Sequence, residues 1–159
     1  LNAATPNVIY DAKSMDLRDS LAGLVSQVKM AMIRQVDEEF VRDPEVASLE
    51  ATAAQYVILA YVLKRKVDTA CELCKQMEYD RGAMSRMIDR LETKGLIRRV
   101  PLAHTRRTLG LEVTEAGQLA FPKMEASVAR VLNRMLRGVS KAQVRETEKV
   151  LQQMLSNSS

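Results

Sequence analysis

The sequence predicts a mainly α-helical fold with one small β-hairpin, and three observations carry that prediction. Apolar residues return at three- and four-residue steps over most of the 159-residue chain, the period of helices with one buried face. The period changes once, to two short runs, Leu96-Ile97-Arg98-Arg99-Val100 and Leu109-Gly110-Leu111-Glu112-Val113. They read as paired strands. Six Gly, four Pro and no Trp argue against an all-β sandwich. The length is too short for a (β/α)₈ barrel and sufficient to bury a core without staples. At 47% apolar and 28% charged residues, the chain is not a disordered one. No apolar run approaches the ~18 residues of a membrane span.

The elements follow in order. Residues 1–15, with Pro6 and Asn7 among small residues, are expected to form a loose arm. They hold no apolar core of a signal peptide, so the expected compartment is the cytoplasm. Leu17, Leu21, Leu24, Val25, Val28, Met32, Val36 and Phe40 mark a long helix from about residue 16 to 41, stopped by Asp43-Pro44. Thr52-Ala53-Ala54-Gln55 is a capping box, in which hydroxyl and amide each satisfy a backbone N–H. It opens a helix to about Lys66 with Tyr56, Leu59 and Leu63 on one face. Thr69-Ala70-Cys71-Glu72 is a second box, before a short helix with Leu73, Cys74 and Met77 inward. Asp80 can cap a third helix, 81–94, with Met84, Met87, Ile88 and Leu91 as its apolar stripe and Gly95 as its left-handed stop. In the hairpin, Pro101 is expected to end the first strand, before a long basic tip. Thr114 caps another long helix, with Leu119, Met124, Val128, Val131, Leu132 and Met135 apolar and a bend expected at Pro122. Ser140-Lys141-Ala142-Gln143 opens the last helix, with Val144, Leu151, Met154 and Leu155 expected inward.

Charge is unevenly placed. The chain carries 24 basic and 20 acidic residues, a net +4. Residues 81–107 hold eight of the basic residues and only Asp89 and Glu92 as acids. That segment is therefore +6 and the remainder −2. Three short helices followed by a basic hairpin spell a winged helix-turn-helix, which sets its last helix in the major groove of DNA. Arg81, Gly82, Ser85, Arg86 and Asp89 fall opposite that helix's apolar stripe. An arginine there can take guanine with two parallel hydrogen bonds. The tip Thr105-Arg106-Arg107-Thr108 suits the backbone or a narrow minor groove.

Catalytic material is sparse. One His, His104, excludes a His cluster and leaves little for a Ser-His-Asp arrangement. No glycine-rich phosphate loop is present. The sequence therefore predicts a binding protein that is not an enzyme and needs no cofactor or metal. Cys71 and Cys74 form a C-x-x-C pair. Two cysteines fall short of the four ligands of a structural zinc site, and no βαβ unit frames a thioredoxin-type motif. The plain reading is two small packing residues, and the sharper one a thiol sensor.

Residues 52–117 resemble the winged-helix core of the MarR family of transcriptional regulators. The matching residues are Thr52-Ala53-Ala54-Gln55-Tyr56-Val57-Ile58-Leu59, Glu72-Leu73, the stretch Ser85-Arg86-Met87-Ile88-Asp89-Arg90-Leu91-Glu92-Thr93-Lys94-Gly95-Leu96-Ile97-Arg98-Arg99, then Arg106-Arg107 and Val113-Thr114-Glu115-Ala116-Gly117. The most specific part is Asp-Arg-Leu-Glu-x-Lys-Gly-Leu at 89–96. The resemblance implies a reading head over 49–113, carried on a dimerisation domain of long flanking helices in 16–48 and 114–159. It implies that Ser85 and Arg86 read the major groove with Arg81 and Ala83 nearby. Arg107, beside Arg106, is implied as the wing arginine of the minor groove. The family's wing usually reads Asp-Arg-Arg. Here Thr105 replaces the Asp, which leaves Arg107 less firmly aimed. Cys74 falls where the family has a small packed residue. No Cys lies near the start of the first long helix, where the family's oxidation sensors carry theirs.

One reading head buries too little surface for operator specificity, so a homodimer on a pseudo-palindromic operator is expected. The resemblance further implies release by a small phenolic or aromatic carboxylate effector held between the helical scaffold and the heads. Candidate lining residues are Met30, Met32, Ile33, Arg34 and Tyr56, with Arg18 and His104 as carboxylate partners. The resulting expectation is an effector-responsive repressor of double-stranded DNA. Two other readings use the same residues: a thiol-responsive regulator through Cys71 and Cys74, and a DNA-binding architectural protein without an effector.

Overall fold

A computed structural model of the chain describes residues 9, 10, 16, 18–64, 67–102 and 105–158, with backbone alone at 105–107. Six helices and one hairpin follow in order: α1 Leu21–Arg42, α2 Ala53–Lys64, α3 Ala70–Met77, α4 Arg81–Thr93, β1 Ile97–Leu102, β2 Thr105–Val113, α5 Glu115–Met135 and α6 Lys141–Asn157. This is a winged helix-turn-helix set between long helices, the fold class the sequence predicts.

The helix starts obey their local chemistry. Gln55 N–H donates to the Thr52 hydroxyl at 3.3 Å while Thr52 N–H donates to Gln55 Oε1 at 3.2 Å. Ser140 and Gln143 complete the same reciprocal box. At α3 only half the expected box forms: Glu72 N–H donates to the Thr69 hydroxyl at 3.2 Å. The backbone of Thr69 instead makes a β-bridge with Gly110, and Leu111 N–H donates to the Asp68 carbonyl at 2.7 Å. The chain entering α3 thus lays a third, minimal strand against the hairpin. α1 begins at Leu21, later than expected, because Ser20 is its cap and accepts from Gly23 N–H at 3.2 Å. Leu17 lies outside the described residues. Asp43 closes α1 in an extended conformation (φ −77°, ψ 114°), as a residue before proline must.

The wing differs from expectation. Pro101 does not end β1, which runs on to Leu102, and β2 begins at Thr105, four residues before the expected Leu109. The antiparallel register pairs Ile97 with Val113 and Pro101 with Leu109, then shifts so that Leu102 meets Thr105. Proline is tolerated because β1 is an outer strand, where an absent N–H need not serve a second neighbour. The basic stretch expected as a long turn is therefore largely strand.

The core lies where α1 and α5 meet α2, α3, α4 and the hairpin. Phe40, Ile58, Leu59, Leu73, Met84, Ile88, Leu91, Ile97 and Met124 are each at most 1% exposed. At Gly117 a Cβ would stand 2.2 Å from the Leu96 carbonyl oxygen, so the first turn of α5 and the end of the head meet backbone to backbone. The scaffold helices fill only part of this core. Val36 and Phe40 of α1 are buried, whereas Leu24, Val25 and Val28 are 48, 40 and 50% exposed. Leu119, expected inward on α5, is 67% exposed, and α6 holds no buried residue. Met154 and Leu155, also expected inward, face out, since α6 extends past the elements that could cover its apolar stripe. No described helix is long and apolar enough to cross a membrane.

Candidate nucleic-acid interface

Helix α4 is held at both ends. Asp80, in extended conformation, accepts Ala83 N–H at 2.8 Å. Glu78, in the left-handed region with φ 53°, turns the chain out of α3 just before. At the far end Gly95 has φ 68°, and Leu96 N–H reaches back to the Leu91 carbonyl at 2.9 Å. Met84, Ile88 and Leu91 bury one face. The opposite face presents Arg81, Gly82, Ser85, Arg86, Asp89 and Arg90 to solvent, while Ala83 sits half-buried beside it. The structure thus brings Arg81, Ser85 and Arg86 together on one exposed face, with Ala83 at its margin. A Cβ on Gly82 would stand 3.4 Å from the Arg86 guanidinium and 3.2 Å from the Asp80 carboxylate. Glycine gives both side chains room.

The six basic side chains of residues 81–99 fall into two groups. Arg81, Arg86 and Arg90 make no ion pair among the described residues. The other three are engaged. Lys94 donates to the carbonyls of Leu49, at 2.9 Å, and Glu50, tying the end of α4 to the 3₁₀ turn at Ala47–Leu49. Arg98 pairs across the hairpin with Glu112 at 2.5 Å. Arg99 spans from β1 to α4, meeting Asp89 at 2.5 Å and also Glu92. The hydrogen bond with Asp89, more than any other influence, holds the Arg99 pKa above the usual arginine value. Sequence charge alone weighted these six alike. The spacing of Arg98 opposite Glu112 in a hairpin was the one signal that could have separated them. Arg106 and Arg107 lie on β2, their side chains outside the described residues.

A cleft of about 640 Å³ lies between the scaffold and the head. Leu21, Val25, Val28, Lys29, Met32 and Ile33 line it from α1, Ala53, Val57 and Tyr61 from α2, Thr147 and Leu151 from α6, Met77 from the end of α3 and Tyr79 from the turn before α4. Of the sequence candidates, Met32 and Ile33 line it. Met30 and Arg34 are exposed and do not. Tyr56 points to the other side of α2, stacked on Phe121 at 5.4 Å and edge-on to Phe40 at 6.4 Å. Burial there raises its pKa. Arg18 borders a separate shallow groove with Gly23 and Gln27, and His104 lies outside the described residues. Sequence reasoning missed Lys29, Tyr61, Tyr79 and Thr147, the cleft's polar-tipped lining residues. The signal available was Lys29 on the same helical face as Val25, Met32 and Ile33.

Cys71 is exposed and Cys74 half-buried against the core, both as free thiols. Among the described residues, no group of three or more His, Cys, Asp or Glu is gathered to hold a metal ion.

Comparison with known proteins places this geometry. Residues 51–108 match the model of the MarR family. The HTH-type transcriptional repressor MdtR of Bacillus subtilis is 28% identical over 126 residues, 79% of this chain and 75% of that protein. The multiple antibiotic resistance protein MarR of Escherichia coli is 31% identical over 91 residues, 57% of this chain and 63% of that one. A solved structure of a MarR mutant from E. coli complexed with operator DNA superposes with a TM-score of 0.73 at 25% identity, covering 89% of this chain and 99% of that chain. An organohalide-sensing transcriptional regulator in its 2,4-dichlorophenol-bound form shares the fold at 18% identity, with a TM-score of 0.73 over 93% of this chain and 85% of that one.

Proposed function

The chain belongs to the MarR family of winged helix-turn-helix transcriptional regulators and is a regulator that binds operator DNA; from that premise we propose that it is a repressor acting as a homodimer on a pseudo-palindromic site and released by a small aromatic effector. The observation that carries the reading is the exposed face of α4, where Arg81, Arg86 and Arg90 make no ion pair among the described residues. Unpaired guanidinium groups on a groove-sized helix are what direct base and phosphate contacts require. In this reading Ser85 and Arg86 meet base edges, Arg81 and the Ala83 region flank them, and Arg106 and Arg107 of β2 reach the adjacent minor groove.

The dimer joins the helices of 16–48 and 114–159, whose outer apolar faces a single chain leaves open. The cleft between α1, α2 and α6 takes the effector. Its lining is chiefly hydrocarbon, with Lys29, Tyr61, Tyr79 and Thr147 offering polar tips. That combination suits a phenol or an aromatic carboxylate better than a sugar or a nucleotide. Tyr79 stands next to Asp80, the cap of α4. A ligand against Tyr79 therefore favours one placement of the head over another, and only such a difference in affinity shifts an equilibrium.

The test starts by selecting duplexes from a random-sequence pool with the wild-type protein. The selected duplex is then competed against scrambled DNA over a range of salt. Arg86→Ala is expected to lose about 1–3 kcal/mol on the selected duplex and to relax base preference. Arg107→Ala is expected to lower mainly the salt dependence. No enrichment over the random pool would leave only an architectural DNA-binding protein. Wild-type behaviour in both variants would remove this reading surface.

A further inference from the structure

Arg86 and Asp89 stand three residues apart on α4, so their side chains share one face of the helix. Free in water, such a pair attracts itself, and an arginine engaged by a carboxylate of its own helix is less available to a base. In this protein the pair does not form. Asp89 is taken by Arg99, which reaches over from β1 with Nη2 at 2.5 Å from Asp89 Oδ1. The same guanidinium meets Glu92 one turn on, and Glu92 Oε1 also accepts the Arg99 backbone N–H at 3.1 Å. The clamp is partly shielded, Arg99 being 27% exposed. Arg86 meanwhile lies back over Gly82.

We infer that Arg99 is a positioning residue for base reading: by occupying Asp89 it keeps that carboxylate off Arg86 and leaves the Arg86 guanidinium free for the groove. The inference rests on the reading role proposed above for Arg86. The clamp also places a positive charge against the only two acids of residues 81–107, both on the helix that must approach phosphates. It couples the wing to the reading helix as well. A movement of β1 that withdraws Arg99 hands Asp89 to Arg86 and weakens recognition without touching DNA.

A plain structural anchor would use the same ion pairs, so the test must separate the two roles. Affinities are measured for the duplex selected by the wild-type protein and for a scrambled duplex, with thermal unfolding of each variant alongside. Arg99→Gln is expected to bind the selected duplex about tenfold more weakly and to discriminate less against the scrambled one. Adding Asp89→Asn to Arg99→Gln removes the competing carboxylate and is expected to restore affinity to within about twofold of wild type. An anchor cannot be restored in this way, because the second substitution leaves the wing just as loose. If the double variant stays as weak as Arg99→Gln, the inference is overturned while Arg86 keeps its role. If Arg86→Ala itself binds like wild type, the reading role and this inference fall together. Should Arg99→Gln not fold, Arg99→Lys replaces it. A lysine lacks the planar fork with which Arg99 meets the two carboxylates through separate N–H groups, so a smaller loss, again relieved by Asp89→Asn, supports the inference, and a loss that Asp89→Asn leaves unchanged overturns it.

Discussion

Arg130 reaches from α5 to two carboxylates of α1, Glu39 at 3.1 Å and Asp43. Arg134 adds a second contact to Glu39 at 3.2 Å, and the buried Ser127 hydroxyl donates to Asp43 at 2.6 Å. Glu39 and Asp43 are only 15 and 9% exposed, so these bonds are better shielded than ordinary surface pairs. The Arg130 hydrogen bond lowers the pKa of Glu39, and the Ser127 hydroxyl leads the influences that lower that of Asp43. Both groups bind protons more weakly folded than unfolded. Their stabilisation is therefore complete above the ordinary carboxylate values of 4.5 and 3.8. It is lost as pH falls through the lower folded values. Replacing the pair as Glu39→Gln with Asp43→Asn is expected to remove about 2 kcal/mol at neutral pH, a modest figure because the arginine side is half in water. It should also flatten the acid limb. Chemical denaturation between pH 3 and pH 7 checks both, and an unchanged acid limb would show that other carboxylates set it. None of this was legible in the sequence, because residues more than 80 positions apart meet only once the helices have packed.

The starts of α2 to α6 were legible because their signals are local, a hydroxyl or carboxylate and the N–H three residues on, whereas Ser20, the cap of α1, was passed over. Asp80 is the functional instance, since its bond to Ala83 N–H fixes where α4 begins and thus where Arg81 and Arg86 point. Asp80→Ala is expected to destabilise the protein by about 1 kcal/mol and to weaken duplex binding with it. Asp80→Asn, which keeps an acceptor oxygen, should do neither to the same degree. Thermal unfolding and duplex titration of the two variants decide the point, and equal behaviour of Ala and Asn would mean that the cap does not position the helix. The wing shows the opposite case. Its extent depends on pairing between Leu102 and Thr105 and on the bridge from Thr69 to Gly110. Such partners leave no trace in the local pattern, and Pro101 looked like an end because nothing nearby said that its strand was an outer one.

For the whole molecule, periodicity identified which faces are apolar but not what covers them. The stripe on α6 was read as inward, yet its Met154 and Leu155 remain 41 and 69% exposed, as does Val150 beside them at 50%, and Leu24 and Val28 on α1 show 48 and 50%. Single chains rarely leave apolar side chains this concentrated on two helices. In the homodimer proposed above, a second copy of the chain would bury them and supply the second reading head that a pseudo-palindromic site demands. Light scattering behind size exclusion, at micromolar concentration, should accordingly give twice the 17.8 kDa chain mass. Val150→Glu together with Met154→Glu is expected to shift that mass toward one chain and to lower affinity for the selected duplex, with each head still folded by circular dichroism. The substitutions touch solvent in the isolated chain, so a loss of mass cannot be ascribed to a broken core. A wild-type protein that runs as one chain at these concentrations, or a double variant that remains a dimer, would show that these faces are covered in some other way.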